Sequence, residues 1–468
     1  MLALVGLLAL AYPDATAAGE RTYYVDCVNG SDNNSGLSTG QAWRSLAKAN
    51  AATLLPGDSL LLARGCTWQG TLRATWNGTA ADRILIGAYG TGAFPVIRNS
   101  ATDLLDGAYN AVDVTGSYLI LQGLEVTITN PPVVPGCAGN PVGFFIGFNF
   151  RNPDNVANGG SHNILRYSRA SRLTAGVHFN NNTHDDQILN NYLFDNHVMS
   201  VLTPVAVNGS DDLGAWGILL KGHNQEVAYN LFSSNRAWCT FDTLPQGNAV
   251  EVYEAQNSRI HHNTSIDDRV FSELGGSAGL RADGNTFAYN LVRSSVPDAR
   301  FIVARGSGNP FGPTNNTQVY NNTVYYTGAD SQGIVCGAGC TSSILSAHNN
   351  IIWAEAKAIY GDAAFLEAHN LFWSTNGEPV VQLEGSALNL TSMITDPRFA
   401  AVESHDFKLR SNSPAIDAGQ DVGWTLDLVN TAVPQGGAPD LGGYEFILAP
   451  LNLGYASYLP LLSLLHWP

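Results

Sequence analysis

Along most of the chain, short runs of alternating apolar and polar residues end in clusters of Asn, Gly, Asp and Ser. The pattern is clearest from Gly217 to Asn290, where GILLKGHNQEVAYNLFSSN, AVEVYEAQNSRIHHNTSIDD and GLRADGNTFAYNLVRSS can be laid beneath one another. The first two match without a gap, Lys221 to Asn230 over Glu254 to Asn263, and the third needs a one-residue shortening. The element apolar-x-x-Asn-x-apolar recurs with its Asn at Asn191, Asn230, Asn263, Asn290 and Asn322, and more loosely at Asn350 and Asn370. Ser168 and Gly123 stand in the Asn place of two earlier copies. The Asn263-to-Asn290 step is 27 residues and the Asn290-to-Asn322 step is 32, too short for strand-and-helix units with real helices. Alternation such as Val250-Glu251-Val252-Tyr253 instead predicts strands with one buried and one wet face. Self-similarity at this period predicts a stacked solenoid. The pattern therefore predicts an all-β protein, a right-handed parallel β-helix. Asn suits the recurring turn, because it tolerates the left-handed conformation and its amide can bond the Asn of the next coil.

A solenoid exposes strand edges at both ends and must cover them. Residues 19–100 read as an N-terminal cap with the first coils, residues 101–395 as coils, and residues 396–446 as a closing segment. A short capping helix is expected between Ala42 and Leu55, with Trp43, Leu46, Ala47 and Leu54 toward the core and Pro56-Gly57 as its stop. The repeat spacing widens between Gly123 and Ser168, between Asn191 and Asn230, and between Phe232 and Ala249, with a further loop at Gly306–Asn316. Function on a solenoid concentrates where coils are lengthened. These insertions carry Phe144, Phe145, Phe148, Phe150, Trp216, Trp238 and Phe241, candidate platforms for sugar faces or simple packing of loop on coil.

Length changes little here, because a solenoid of 468 residues grows in one dimension. Charge excludes more. A net charge of −16 speaks against nucleic acid or an anionic membrane as partner, since both need a basic face. It still permits an acidic polysaccharide if a local basic patch or a bound Ca²⁺ offsets the sign. Residues 1–18 read as a secretory signal peptide cut near Ala17 or Ala18. Six cysteines then favour bridges. Fifteen pairings are open on paper; Cys27–Cys66 is favoured because TYYVDC and SLLLARGC read as successive strands, leaving Cys336 with Cys340 and Cys137 with Cys239. The uncharged tail 447–468 is interrupted by Pro450, Asn452 and Pro460, so no transmembrane span is expected. No CxxC pair or His cluster in the sequence supports a zinc site, and a monomer is expected.

The candidate chemistry lies in the central coils. Alternation puts Glu251 and Tyr253 outward. The repeat alignment sets Lys221 under Glu254, with Arg281 in or beside that column, a charge ladder that could be an exposed ion-pair row or a groove floor. Asp242 lies in the loop before, and Asp268 and Glu273 follow in the turn and strand after. Proton abstraction α to a uronate carboxyl would need a base such as Lys221 or Arg281 and a cation on the carboxylate. Hydrolysis would need paired carboxyls, for which Glu251, Glu254, Asp268 and Glu273 are candidates. Tyr253, His223, Trp216, Trp238 and Asp242 are candidate substrate-binding residues, with His223 a candidate proton carrier. His261, His262, His348 and His369 recur beside the ladder Asn and read as turn or face residues. No metal ligand is assigned.

The stretches YYVDCVNGSDNNSG, AWRSL, LLPGDSLLLARGCTWQGTL and ILIGAYGTGAFPVI resemble the N-terminus of secreted bacterial β-helix proteins of the pectate-lyase-like superfamily. DPRFAAVESHDFKLRSNSPAIDAG and Pro439-Asp-Leu-Gly-Gly-Tyr-Glu445 resemble their closing segment, and Tyr458-Leu-Pro-Leu-Leu462 looks like short C-terminal tags of exported proteins. The resemblance implies architecture and export; the superfamily holds lyases, hydrolases, epimerases and non-catalytic surface proteins. Glu251 and Leu280-Arg281 echo the pattern of alginate and chondroitin B lyases. The Lys of that pattern is replaced by Glu254-Ala255 and its His by Ala282. The paired-Asp, Gly-His-Gly and Arg-Ile-Lys signatures of polygalacturonase-type enzymes are absent. The expected function is polysaccharide binding with cleavage by lyase or hydrolase chemistry, against a non-catalytic adhesive solenoid as the alternative.

Overall fold

The computed structural model describes residues 20–99, 104–105, 108–129, 144–202, 212–238, 240, 245–375 and 380–447. The signal-peptide reading, Asp242, the Cys137–Cys239 pairing and the tail beyond Ile447 fall outside them.

Among the described residues, successive coils contribute strands to three 12-stranded sheets and pair in parallel with the coils before and after; Leu104–Leu105 alone joins the third sheet antiparallel, beside Ala108–Val114. A central coil runs through Arg259–His261 in the first sheet, Thr264–Ile266 in the second and Val270–Gly275 in the third. The chain is a right-handed parallel β-helix. Alternation directs one set of side chains into the bore. Val227, Ile260, Phe287 and Val319 stack along the first sheet, and along the third Ile218 stacks on Val250 and Ile302 on Ile334 with the buried Ser272 between the two pairs; the apolar members are all fully buried in one core.

The turn from first to second sheet shows why asparagine recurs. Asn191 donates its backbone N–H to Asn230 Oδ1 at 2.9 Å and its amide to the same oxygen at 3.1 Å. Asn230 repeats this on Asn263 at 3.0 Å through both groups. The chain continues through Asn290, Asn322, Asn350 and Asn370. Each amide's second N–H goes back to a first-sheet carbonyl, as from Asn263 Nδ2 to Val227 O at 2.8 Å. The ladder asparagines do not take the left-handed conformation expected of them. That falls to the residue before each: Tyr167, Asn190, Tyr229, His262, Tyr289, Asn321, Asn349 and His369 all have φ between 49° and 60°. Gly123, φ 67°, belongs to this position too, and Leu124 holds the Asn place, its N–H bonding Ser168 Oγ at 3.2 Å. The Asn is selected for its amide, and the turn is made one residue earlier.

A shorter ladder lines the second-to-third corner. Asn196 Nδ2 donates to Asn235 Oδ1 at 2.8 Å, and Asn235 Nδ2 to Asp268 Oδ1 at 2.9 Å. Asp268 is thus an interior turn residue and not part of an outer floor. Its other oxygen accepts from Ser265 Oγ at 2.6 Å, and burial pushes its pKa up to about 7 against these hydrogen bonds.

The ends depart from expectation. The capping helix is a single turn, Leu46–Asn50, with Ser45 Oγ accepting from the Lys48 N–H. Trp43, Leu46 and Leu54 are buried as expected, but Ala47 is exposed and Ala49 takes the inward place, because only one turn is helical. Thr22–Val25 pairs with Ser59–Ala63, and Cys27 and Cys66 are disulfide-bonded beside them with Cα atoms 5.7 Å apart. Cys336 and Cys340 form a second disulfide. After the hairpin Phe399–Ala401 and Asp406–Leu409, the closing segment runs back along the asparagine corner. Trp424 lies 5.0 Å from the His261 ring and 5.8 Å from that of His262, and Asn321 Nδ2 bonds Asp440 O at 3.1 Å. The His and Tyr rings of the left-handed positions are thereby covered. No helix of the described residues is long and apolar enough to cross a membrane.

Two outcomes check this account. Asn263→Ala removes the partner of Asn230 and orphans a buried N–H, so denaturant unfolding should show a loss of about 1–3 kcal/mol. A neutral effect would mean the ladder contributes no net stability. Asp268, protonated when folded up to about 7, favours the folded state at low pH, and that contribution is lost as pH rises from its unfolded value near 3.8 through about 7. Asp268→Asn should therefore gain stability relative to the parent as pH rises from about 4 to about 7 and level off above, by up to the order of 4 kcal/mol. A pH-independent difference would remove the buried-carboxyl assignment.

Candidate active site on the outer face of the third sheet

Both flanks of the third sheet carry the lengthened connections. Between the second and third sheets the chain is lengthened three times, between Ile128 and Phe144, between Phe194 and Trp216 and between Ser233 and Asn248; Phe144, Phe145, Phe148, Phe150 and Trp216 themselves lie on third-sheet strands. Residues 276–285 and 306–316 leave the third sheet on its other side. The outer face of the third sheet lies between them.

Strand register orders this face. One outward column runs Arg73, Asp113, Asn149, His178, Leu219, Glu251, Glu273, Val303. At its centre, Glu251 on Asn248–Tyr253 lies directly opposite Glu273 on Val270–Gly275. Glu251 accepts from Asn248 Nδ2. On its other side the register neighbour is Leu219, which packs with Ala175 and Trp216 in an apolar outer cluster. Loss of hydration, and then the like charge of Glu273, hold the Glu251 carboxyl well above the usual range, against Arg305 and Asn248. Glu273 is instead ion-paired with Arg305, whose guanidinium also bonds Leu274 O. Arg305 reaches back because Gly275 lies between: a Cβ there would stand 3.1 Å from Arg305 Nη1 and 3.3 Å from Phe311 Cβ. Loss of hydration thus acts on the Glu251 carboxyl, while Glu273 beside it is met by a guanidinium.

Other sequence candidates distribute around this pair. Lys221 Nζ lies 3.1 Å from Glu254 Oε2 and 5.4 Å from the centre of the Tyr253 ring. The ungapped alignment holds for the first sheet, where Glu226 pairs with Arg259, but the third sheet is offset by one residue, Leu219 with Glu251. The extra residue is taken up at Tyr253–Glu254, where Glu254 has φ 66° and is buried with Ser277 Oγ 2.5 Å away. Arg281 does not join the column. Its lengthened turn carries it to the 306–316 connection, where it bonds Gly312 O. Trp216 is buried beneath Phe144, 6.2 Å between ring centres, while Trp238 is exposed with Arg236 over its ring at 5.3 Å. His223 sits apart, on the third-to-first corner beside His184.

The sequence reading missed Arg305, Asn248 and His178. Arg305 follows the same alternation on Arg300–Arg305, but only the sheet register shows that Gly275 opens a path to Glu273. His178 bonds Asn149 Oδ1 at 2.8 Å, and burial lowers its pKa to about 3, so it is a neutral hydrogen-bonding group. Ca²⁺ takes roughly six to eight oxygens; among the described residues of the column the carboxyls are Asp113, Glu251 and Glu273, of which Asp113 is on Arg151 and Glu273 on Arg305, a set that does not fit a resident Ca²⁺.

The fold has known counterparts. XylC in complex with xylose is similar with a TM-score of 0.54 at 10% identity, over 91% of this chain and 98% of that one. Pectate lyase Pel9A is similar at 0.53 and 17%, over 91% and 96%. The GH136 lacto-N-biosidase of Eubacterium ramulus is similar at 0.52 and 16%, over 77% of this chain, which spans 65% of the length of that enzyme chain. These likenesses establish the parallel β-helix architecture. No protein-family model and no curated protein matches the chain.

The Arg305 charge works against the upward shift of the Glu251 carboxyl, so Arg305→Gln should raise the Glu251 titration midpoint further. Carboxyl ¹³C titration of the Glu251 side chain reads this directly, and an unmoved midpoint would show that Arg305 does not act on it.

Proposed function

We propose that the chain is an exported glycoside hydrolase that cleaves a polysaccharide on the outer face of the third sheet. The observation that carries the reading is the in-register Glu251–Glu273 pair, one carboxyl dehydrated and the other bound to Arg305. Glu251, held protonated, gives its proton to the leaving glycosidic oxygen. Backbones of adjacent strands lie roughly 4.8 Å apart. That spacing suits the roughly 5–5.5 Å carboxyl separation of retaining enzymes better than the roughly 6.5–9.5 Å of inverting ones. Glu273 is accordingly the nucleophile: its carboxylate bonds the anomeric carbon as the glycosidic C–O bond breaks. Glu251, now ionised, takes a proton from water, which displaces Glu273 and returns both groups to their starting states. Lys221 and Arg305 are each committed to a carboxylate, which favours a neutral glycan over a uronate and weighs against proton-abstracting lyase chemistry. The likeness to XylC with xylose and to a lacto-N-biosidase agrees with carbohydrate as the ligand class. Two disulfides suit an oxidising compartment outside the cell.

A glycan-degradation screen should find reducing ends without the ultraviolet absorbance of an unsaturated product. On that glycan, Glu251→Gln and Glu273→Gln should each lower kcat by about 10²–10⁴-fold with folding unchanged, and azide should restore turnover to Glu273→Ala. Unsaturated product would make the chain a lyase, binding without product would make it an adhesive solenoid, and undiminished turnover in both Gln variants would place the site elsewhere.

A further inference from the structure

Away from the outer face of the third sheet, the third-to-first corner gathers ligands that the sequence keeps far apart. His162 closes the connection 151–163, and His184 and Asp185 lie in the connection 180–186 of the next coil. Backbone bonds hold the two turns in step: His162 N–H to His184 O at 3.1 Å, and Asp185 N–H to His223 O, on the coil after, at 3.1 Å. One ring nitrogen of each histidine and one carboxylate oxygen of Asp185 lie within 4.8 Å of one another. All three residues retain contact with solvent, so an ion can reach them.

The rings are positioned from behind. His162 is stacked on Tyr118, 4.8 Å between ring centres at an interplanar angle of 11°, and meets His184 edge-on at 5.1 Å. Arg83 lies over the other part of this stack, 5.6 Å from the Tyr118 ring centre, and donates to the His162 carbonyl. His184 Nδ1 is 2.7 Å from Asp185 Oδ2, so donors of two residues already converge on one point, where an ion would take the place of the proton between them. One coil further on, the Nδ1 of His223 is buried without a hydrogen-bond partner, so the corner holds another imidazole nitrogen with capacity to spare.

We propose that His162, His184 and Asp185 form a binding site for a borderline divalent transition-metal ion, of which Zn²⁺ is the type. Two imidazoles and a carboxylate suit such an ion, whereas Ca²⁺ and Mg²⁺ require oxygen donors throughout. Bonds of roughly 2.0–2.1 Å about a tetrahedral ion bring ligand atoms to about 3.4 Å from one another. Small side-chain rotations from the present spacing achieve this, with water completing the shell. The ion would pin two successive connections along the edge of the third-sheet face, as a cross-coil clamp distinct from the Glu251–Glu273 pair.

The test is a ZnCl₂ titration of chelator-treated full chain by calorimetry and equilibrium dialysis. The parent should bind one equivalent and gain about 3 °C in Tm at saturation, with excess CaCl₂ failing to compete. His162→Gln and His184→Gln should each weaken binding by about 10–100-fold or more and abolish the Tm gain. Asp185 has φ 58°, which Asn tolerates, so Asp185→Asn tests the site without disturbing the turn should either His variant prove less stable when metal-free. Parent affinity no tighter than that of the His variants, unchanged affinity in Asp185→Asn, or equal competition by Ca²⁺ would each overturn the site.

Discussion

The structure depends on one constraint: every coil must stop its first-sheet strand, turn, and start its second-sheet strand at the same height as its neighbours. At that corner the residue before each Asn still bonds the backbone of the next coil, as the His262 N–H does Ala288 O, but the N–H of the Asn itself finds no backbone partner. The stacked asparagines supply the missing partners, each Oδ1 taking the N–H and amide of the coil before it. An unsatisfied buried N–H costs about as much as several good contacts provide. Register along the axis is therefore tied to this row, and so is the placement of everything the coils carry outward.

That placement turns ordinary strand residues into chemistry. Glu251 and Glu273 are ordinary in their own strands, each an outward polar residue between two buried ones. Stacking puts them opposite one another, beside an apolar cluster on one side and a guanidinium on the other. The same stacking uses acids in a second way. Asp268, five residues before Glu273, points into the wall and serves as the last rung of an amide ladder. Two carboxyls close in sequence thus have opposite environments, set by whether the residue falls in a turn or on an outward strand position.

The lengthened connections show how a solenoid separates stability from function. Insertions at the second-to-third corner and at the third-to-first corner leave the strands in register: Ile218 pairs with Val250, Val250 with the buried Ser272, Ser272 with Ile302, and Ile302 with Ile334. The returning C-terminal segment covers the asparagine corner, where Trp424 packs on His261 and His262. Two corners are thereby built up around one open face, and the outer face of the third sheet is the surface left between lengthened connections.

By itself the sequence determined the coil: its repeat, its alternating strands, its asparagine row, the Cys27–Cys66 neighbourhood and the outward direction of Glu251 and Tyr253 follow from local periodicity, which acts over a few residues. It also brought Lys221 near Glu254, although the ungapped alignment was one residue out of step on the third sheet. Tertiary structure decided what depends on how coils of unequal length stack. It turned Asp268 inward, carried Arg281 away to Gly312, buried Trp216, and joined Arg305 to Glu273 across Gly275. It likewise assembled His162, His184 and Asp185 from separate turns. Periodicity along one strand specifies which way a side chain faces, but which residue lies beside it is set by the length of an entire intervening coil, and that sum is only resolved when the hydrogen bonds between coils are made.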